Sequence, residues 1–77
     1  SAMEQELYSL AIERFKIAYS LSQDSLLPCN IGEAYRRLLQ LREALEYYQL
    51  CLEKNPKSQY LPRVKDIVQQ LSIFNLE

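Results

Sequence analysis

Residues 30–56 read NIGEAYRRLLQLREALEYYQLCLEKNP, and Gly32, near the start of the stretch, is the only glycine in the chain. One apolar stripe runs Ile31, Ala34, Tyr35, Leu38. A second runs Leu41, Ala44, Leu45, Tyr48, Cys51, Leu52, again at helical spacing. Asn55-Pro56 ends the second stripe, because the residue before a proline is pushed out of the α region. Between the stripes, the segment RRLLQLRE (Arg36–Glu43) contains no residue that favours a turn. Whether the chain turns there decides between a helical hairpin and one long helix.

Two readings of that junction stand. Tyr35 to Leu45 is almost wholly leucine, arginine, glutamine, glutamate and alanine, the best helix formers. Ile31, Ala34, Leu38, Leu41, Leu45, Tyr48 and Leu52 fall at alternating gaps of three and four, which suits one unbroken helix with an apolar seam. Such a helix, from near Leu27 to Asn55, would be about 40 Å long. It could not bury its seam within one chain, so a domain-swapped assembly would follow. The other reading is a closed hairpin with a short, strained turn near Leu39 and Gln40.

Outward from this stretch the chain is helical in pattern throughout. Toward the N-terminus, from Gln5 to Leu21, apolar Tyr8, Ala11, Ile12, Phe15, Ala18 and Tyr19 recur at helical spacing. SQDS (Ser22–Ser25) then interrupts the pattern, and Asp24 or Ser25 is placed to cap the next helix. Pro28 suits a first turn, where its missing amide has no intrahelical partner in any case. Toward the C-terminus, Ser58 can cap a last helix carrying Leu61, Val64, Ile67, Val68 and Leu71. No sustained alternation signals a strand. The expected fold is all-α, with about four helices in antiparallel hairpins. Residues 1–3 (Ser-Ala-Met) read as a cloning remnant and a start residue, and 4–77 as a single domain.

Composition narrows the function. Nine basic and ten acidic residues nearly cancel, so no nucleic-acid partner or membrane surface is expected. No apolar run approaches the about 18 residues of a membrane span. There is no histidine, the commonest general base, and no CxxC pair, so neither catalysis nor a structural zinc site is expected, and no cofactor is implied. Cys29 and Cys51 read as two reduced thiols acting as small hydrophobes, with Cys51 inert in the core. No signal-peptide pattern is visible, and the cytoplasm is expected over secretion.

The chain also repeats itself. AIERFKIAYSL (residues 11–21) aligns with ALEYYQLCLEK (residues 44–54), pairing Ala11 with Ala44, Phe15 with Tyr48 and Ala18 with Cys51, each 33 residues apart. Small residues let helices approach closely and the aromatic fills the gap between them, so all six are expected in the core. With Ile31-Gly32-x-x-Tyr35 before it and Pro56 after it, this pattern resembles the tetratricopeptide repeat, whose period is about 34 residues. The resemblance covers Ser25 to Ser58 as one complete repeat. Gln5–Leu21 is similar to the second helix of a preceding repeat, and Gln59–Leu71 to the first helix of a following one. The chain departs from the family where Pro28 replaces a bulky residue and where Leu39 replaces the glycine of the interhelical turn. AYSLSQDSLLPCNIGEAYRRL also looks like repeats found in some bacterial envelope proteins.

The resemblance implies a protein–protein interaction module that binds a peptide or protein segment on a concave helical face. That face would carry Cys29, Asn30, Glu33, Arg36 and Arg37, joined by Tyr60, Arg63, Ile67 and Gln70 from the last helix. Adjacent arginines suit an acidic or carboxylate-bearing ligand. Asn30 matches one asparagine of the family's carboxylate clamp, but Tyr60 and Val64 stand where its basic residues belong, so the clamp is not expected. The alternative is a structural self-assembly unit forming a homo-oligomer, because Leu7, Leu10, Ile17 and Leu21 form a second stripe on the first helix. Leu39 joins these residues if the chain swaps through a continuous helix.

Overall fold

Pro28 and the Asn55-Pro56 pair bracket the central stretch, and the computed structural model, which describes residues 2–74, places a helix end beside each. Ser1, in the stretch read as a cloning remnant, and residues 75–77, at the end of the expected domain, lie outside the described residues. Four helices follow one another, α1 (Ala2–Ser22), α2 (Leu27–Arg37), α3 (Leu41–Lys54) and α4 (Leu61–Phe74), with no strand among the described residues. The fold is all-α. The first helix extends beyond Gln5 to take in Ala2 and Met3.

The chain turns at Leu39, so the single long helix is not formed. Leu39 adopts the left-handed conformation, with φ 61°. Around it, the Gln40 amide donates to the Tyr35 carbonyl (3.0 Å) and the Leu39 amide to the Arg36 carbonyl (2.9 Å). This 6→1 and 5→2 pair is the Schellman arrangement, in which glycine usually takes the left-handed position. A leucine there costs roughly 1–2 kcal/mol. Local helix propensity loses because a hairpin brings Ile31, Ala34, Ala44 and Tyr48 out of water, and a straight helix in one chain buries none of them.

At the other end of the hairpin, Cys29 and Cys51 are joined by a disulfide, with Cα atoms 4.8 Å apart. The expectation of two reduced thiols is therefore corrected. Antiparallel packing sets residues 29 and 51 opposite one another across the α2–α3 contact, and spacing along the chain does not reveal that. Asn55, the residue that ends α3, reinforces the same end: its Nδ2 donates to the carbonyls of Ser25 (2.9 Å) and Cys51 (3.1 Å). Neither Asp24 nor Ser25 caps α2, which starts after Leu26 without a side-chain cap. Asp24 instead accepts the Leu26 amide through Oδ1 (2.9 Å), an Asx turn that shapes the approach to the helix. Ser58 accepts the Tyr60 amide (3.1 Å) just before α4.

Among the described residues, backbone contacts link α1 with α2, α2 with α3 and α3 with α4, and no other pair of helices. The core falls into two clusters along this row. Ile12, Ile31 and Ala34 form the first, with Tyr8, Phe15, Tyr35, Leu38 and Tyr47 packed on it. Ala44, Tyr48 and Ile67 form the second, with Leu41, Leu45, Tyr60, Val64 and Leu71 around it. Gly32 serves the second cluster. A Cβ at this position would stand 3.0 Å from Cδ1 of Tyr48, so the missing side chain is what lets the ring lie against α2. Lys16 ties α1 to the hairpin, with Nζ donating to the Tyr35 hydroxyl (2.7 Å) and lying over the stacked rings of Tyr35 and Tyr47.

Of the six residues of the repeated small–aromatic–small pattern, Ala44, Tyr48 and Cys51 are buried, whereas Ala11, Phe15 and Ala18 are only half-buried. The helix α1 has a neighbour on one side alone, and Ile12 is its one buried residue.

Candidate functional site

The centre of the expected concave face is a single carboxylate. Glu33 lies on α2 between Asn30 and Arg37, which share its helix face at i−3 and i+4. Its oxygens receive Arg36 Nη2 at 2.7 Å from the next turn and Arg63 Nη1 from α4. Arg37 Nε stands 3.8 Å away. The Tyr48 hydroxyl donates to Glu33 from below. Three helices thus converge on one side chain that is 18% exposed.

Burial pushes the Glu33 carboxyl up, but the hydrogen bonds from Arg36, Tyr48 and Arg63 outweigh it and hold the group at about 2, against an ordinary 4.5. Burial first, and then the bond to Glu33, raise the Tyr48 phenol to about 12. Arg36 and Arg63 are each raised by their own hydrogen bond to Glu33. Glu33 is therefore an anion at any physiological pH and Tyr48 a neutral donor. Three guanidinium groups surround one carboxylate, which leaves the patch two positive charges in excess.

Beside this patch is a cleft of about 300 Å³ between α1 and α2, lined by Tyr8, Ala11, Phe15, Asn30, Glu33, Ala34 and Arg37. Arg37 bridges its two walls: Nη1 approaches the Tyr8 hydroxyl at 3.4 Å, and the guanidinium lies over the Tyr8 ring. The arrangement offers an apolar aromatic floor, an exposed Asn30 amide and a half-exposed guanidinium at the rim. Such a surface can hold an extended chain and pair with a carboxylate. Among the described residues, no group of His, Cys, Asp or Glu side chains is arranged to hold a metal ion. None of the described helices is long and apolar enough to cross a membrane.

The structure gathers Asn30, Glu33, Arg36, Arg37 and Arg63 into this region and sets Tyr60 at its edge, where the Arg63 guanidinium lies over the Tyr60 ring. Cys29 does not belong there. It is 2% exposed, bonded to Cys51, and forms part of a separate cleft of about 630 Å³ with Leu26 and the α3–α4 loop, Asn55–Tyr60. That cleft is larger, but Arg37 and Glu33, the carboxylate on which the arginines converge, line the smaller one. Ile67 is likewise removed from the groove, being buried against Ala44 and Tyr48, and Gln70 donates to Asp66 on its own helix. Tyr8 and Phe15 line the cleft although their pattern reads as core; their i, i+7 spacing on the α1 face opposite Asn30 and Arg37 is the signal that marks them. Leu7, Leu10, Ile17 and Leu21 are all exposed on α1, and Leu39 is 81% exposed at the turn.

No protein-family model matches the chain, and it is not significantly similar to any curated protein or solved structure compared with it.

Proposed function

We propose that this chain is a protein-interaction module of the tetratricopeptide-repeat type, which holds a carboxylate-bearing peptide segment along the α1–α2 cleft. The observation that carries the reading is the convergence of Arg36, Arg37 and Arg63 on Glu33 beside an aromatic-lined groove. One carboxylate orders the three arginines and leaves net positive charge for a second, incoming one. Arg37 is the most exposed of the three and the least tightly held, so it is the residue free to pair with the ligand. The reading assigns binding and no catalysis.

The test is a titration of the protein with acidic and matched neutral peptides, followed by isothermal calorimetry and backbone chemical shifts. Acidic peptides should perturb Asn30, Arg37 and Tyr8, and Arg37→Glu with Arg63→Glu should abolish binding while leaving the helical circular dichroism intact. Unchanged affinity in the double variant removes the groove assignment.

A second reading, self-assembly into a homo-oligomer, draws on Leu7, Ile17 and Leu21, which stand 61%, 61% and 82% exposed along α1. Leu7→Glu with Ile17→Glu would dissolve an assembly built on that face and leave peptide binding in the cleft unchanged.

A further inference from the structure

The two ends of the α2–α3 hairpin are closed by different means. One end is a turn that holds Leu39 at φ 61° with its side chain in solvent. The other end is covalent, through Cys29 and Cys51. Between them, Tyr35 to Leu45 consists almost entirely of strong helix formers. Straightening the chain at Leu39 would remove the left-handed residue and complete the helical hydrogen bonds across the junction. It would also carry Cys29 and Cys51, separated by 22 residues, to about 33 Å apart along one helix, against 4.8 Å between their Cα atoms in the hairpin. Within one chain, the disulfide and the straight helix exclude one another.

We propose that the Cys29–Cys51 disulfide is a redox lock on the hairpin, and that its reduction lets the chain open at Leu39 and exchange halves with a second copy of itself. The reductant is a dithiol. One of its thiolates attacks a cysteine sulfur, the Cys29–Cys51 bond breaks, and a mixed disulfide forms. The second dithiol sulfur closes onto the first and expels the protein thiolate. Both cysteines end as thiols after taking up two protons, and the dithiol ends as a disulfide having given up two electrons. Cys29 is 2% and Cys51 0% exposed, so the attack follows a local opening of the 630 Å³ cleft whose wall Cys29 joins.

The occupant of the opened surface is a second copy because the surface is the chain's own core. Ile31, Ala44, Tyr48 and Cys51 are all 0% exposed in the hairpin. Only the complementary half of the same sequence restores that packing, and the exchanged dimer restores it twice. It also sets Cys29 of each copy against Cys51 of the other, so reoxidation would join the two chains covalently.

The experiment is size-exclusion chromatography with light scattering on the full chain at several hundred micromolar, oxidised and with excess dithiothreitol. The oxidised protein should run as a monomer and the reduced protein at twice its mass. The reduced dimer, isolated and reoxidised, should migrate as a covalent dimer on a non-reducing denaturing gel. Reduced Leu39→Gly should require about a hundredfold higher concentration to dimerise, because the glycine relieves in both chains the strain that opening removes. A monomer after reduction, folded or unfolded, overturns the proposal. So does an oxidised dimer. A reduced dimer that reoxidises to single chains also overturns it, since that dimer joins through a surface such as the α1 face without exchange, and equal midpoints for Leu39→Gly and the parent chain remove the hinge.

Discussion

The helices α1 and α3 carry the same small–aromatic–small pattern 33 residues apart, yet the structure treats them differently. On α3, Ala44, Tyr48 and Cys51 are all 0% exposed, covered by α2 on one side and α4 on the other. On α1, Ala11, Phe15 and Ala18 stay half-buried, because among the described residues only α2 makes backbone contact with α1. A matched pattern therefore fixes which way a helix faces. The number of neighbours fixes how much that facing is worth, since the hydrophobic gain follows the area removed from water.

The sharpest way to break this comparison is to truncate both aromatics. Tyr48→Ala should cost about 3–5 kcal/mol in urea denaturation, and Phe15→Ala about half as much, in proportion to burial. Equal losses at the two sites would show that the pattern, and not the surrounding helices, sets the energy.

Gly32→Ala comes next. Alanine favours a helix over glycine by about 1 kcal/mol. Against this, the added methyl meets the Tyr48 ring at 3.0–3.2 Å, and that ring is fixed by the Tyr60 ring and by its bond to Glu33. The variant should lose about 1–3 kcal/mol. A gain in melting temperature would mean that the ring has room to shift, and that α2 and α3 are packed no more tightly than α1 and α2.

A smaller effect follows pH. The folded-state value of Glu33, about 2, lies below its ordinary 4.5. The unfolded state thus binds the proton first, and the stability due to this carboxylate is complete above 4.5 and is lost as pH falls through about 2. Glu33→Gln should flatten the acid limb of a stability–pH profile between those values. An unchanged limb would place the convergence of α2, α3 and α4 on some other group.

Leu39→Gly should have the smallest effect, raising the stability of the oxidised protein by up to about 1 kcal/mol, since relief of the left-handed strain is partly offset by the entropy glycine adds to the unfolded chain. A loss of stability on chemical denaturation would show that the turn is not strained.

Much of this protein is decided locally and was legible in the chain. Helical periodicity marks four helices, Asn55-Pro56 stops α3, and Ala44, Tyr48 and Cys51 announce a buried stripe, because these signals act over one or two turns of backbone. Asn30, Glu33, Arg36 and Arg37 share a region of α2 for the same reason. Tertiary structure decided the rest. Helix propensity at Leu39 argues for continuity, and only the burial gained by folding α2 onto α3 makes a left-handed leucine worth its cost. Cys29 looks like a groove residue until α3 returns beside it and brings Cys51 within bonding distance. Glu33 reads as one of several residues of the expected groove, and becomes the centre of the site when Tyr48 and Arg63 arrive from α3 and α4. Each of these outcomes depends on partners 15 to 30 residues away along the chain, whose approach no local pattern encodes.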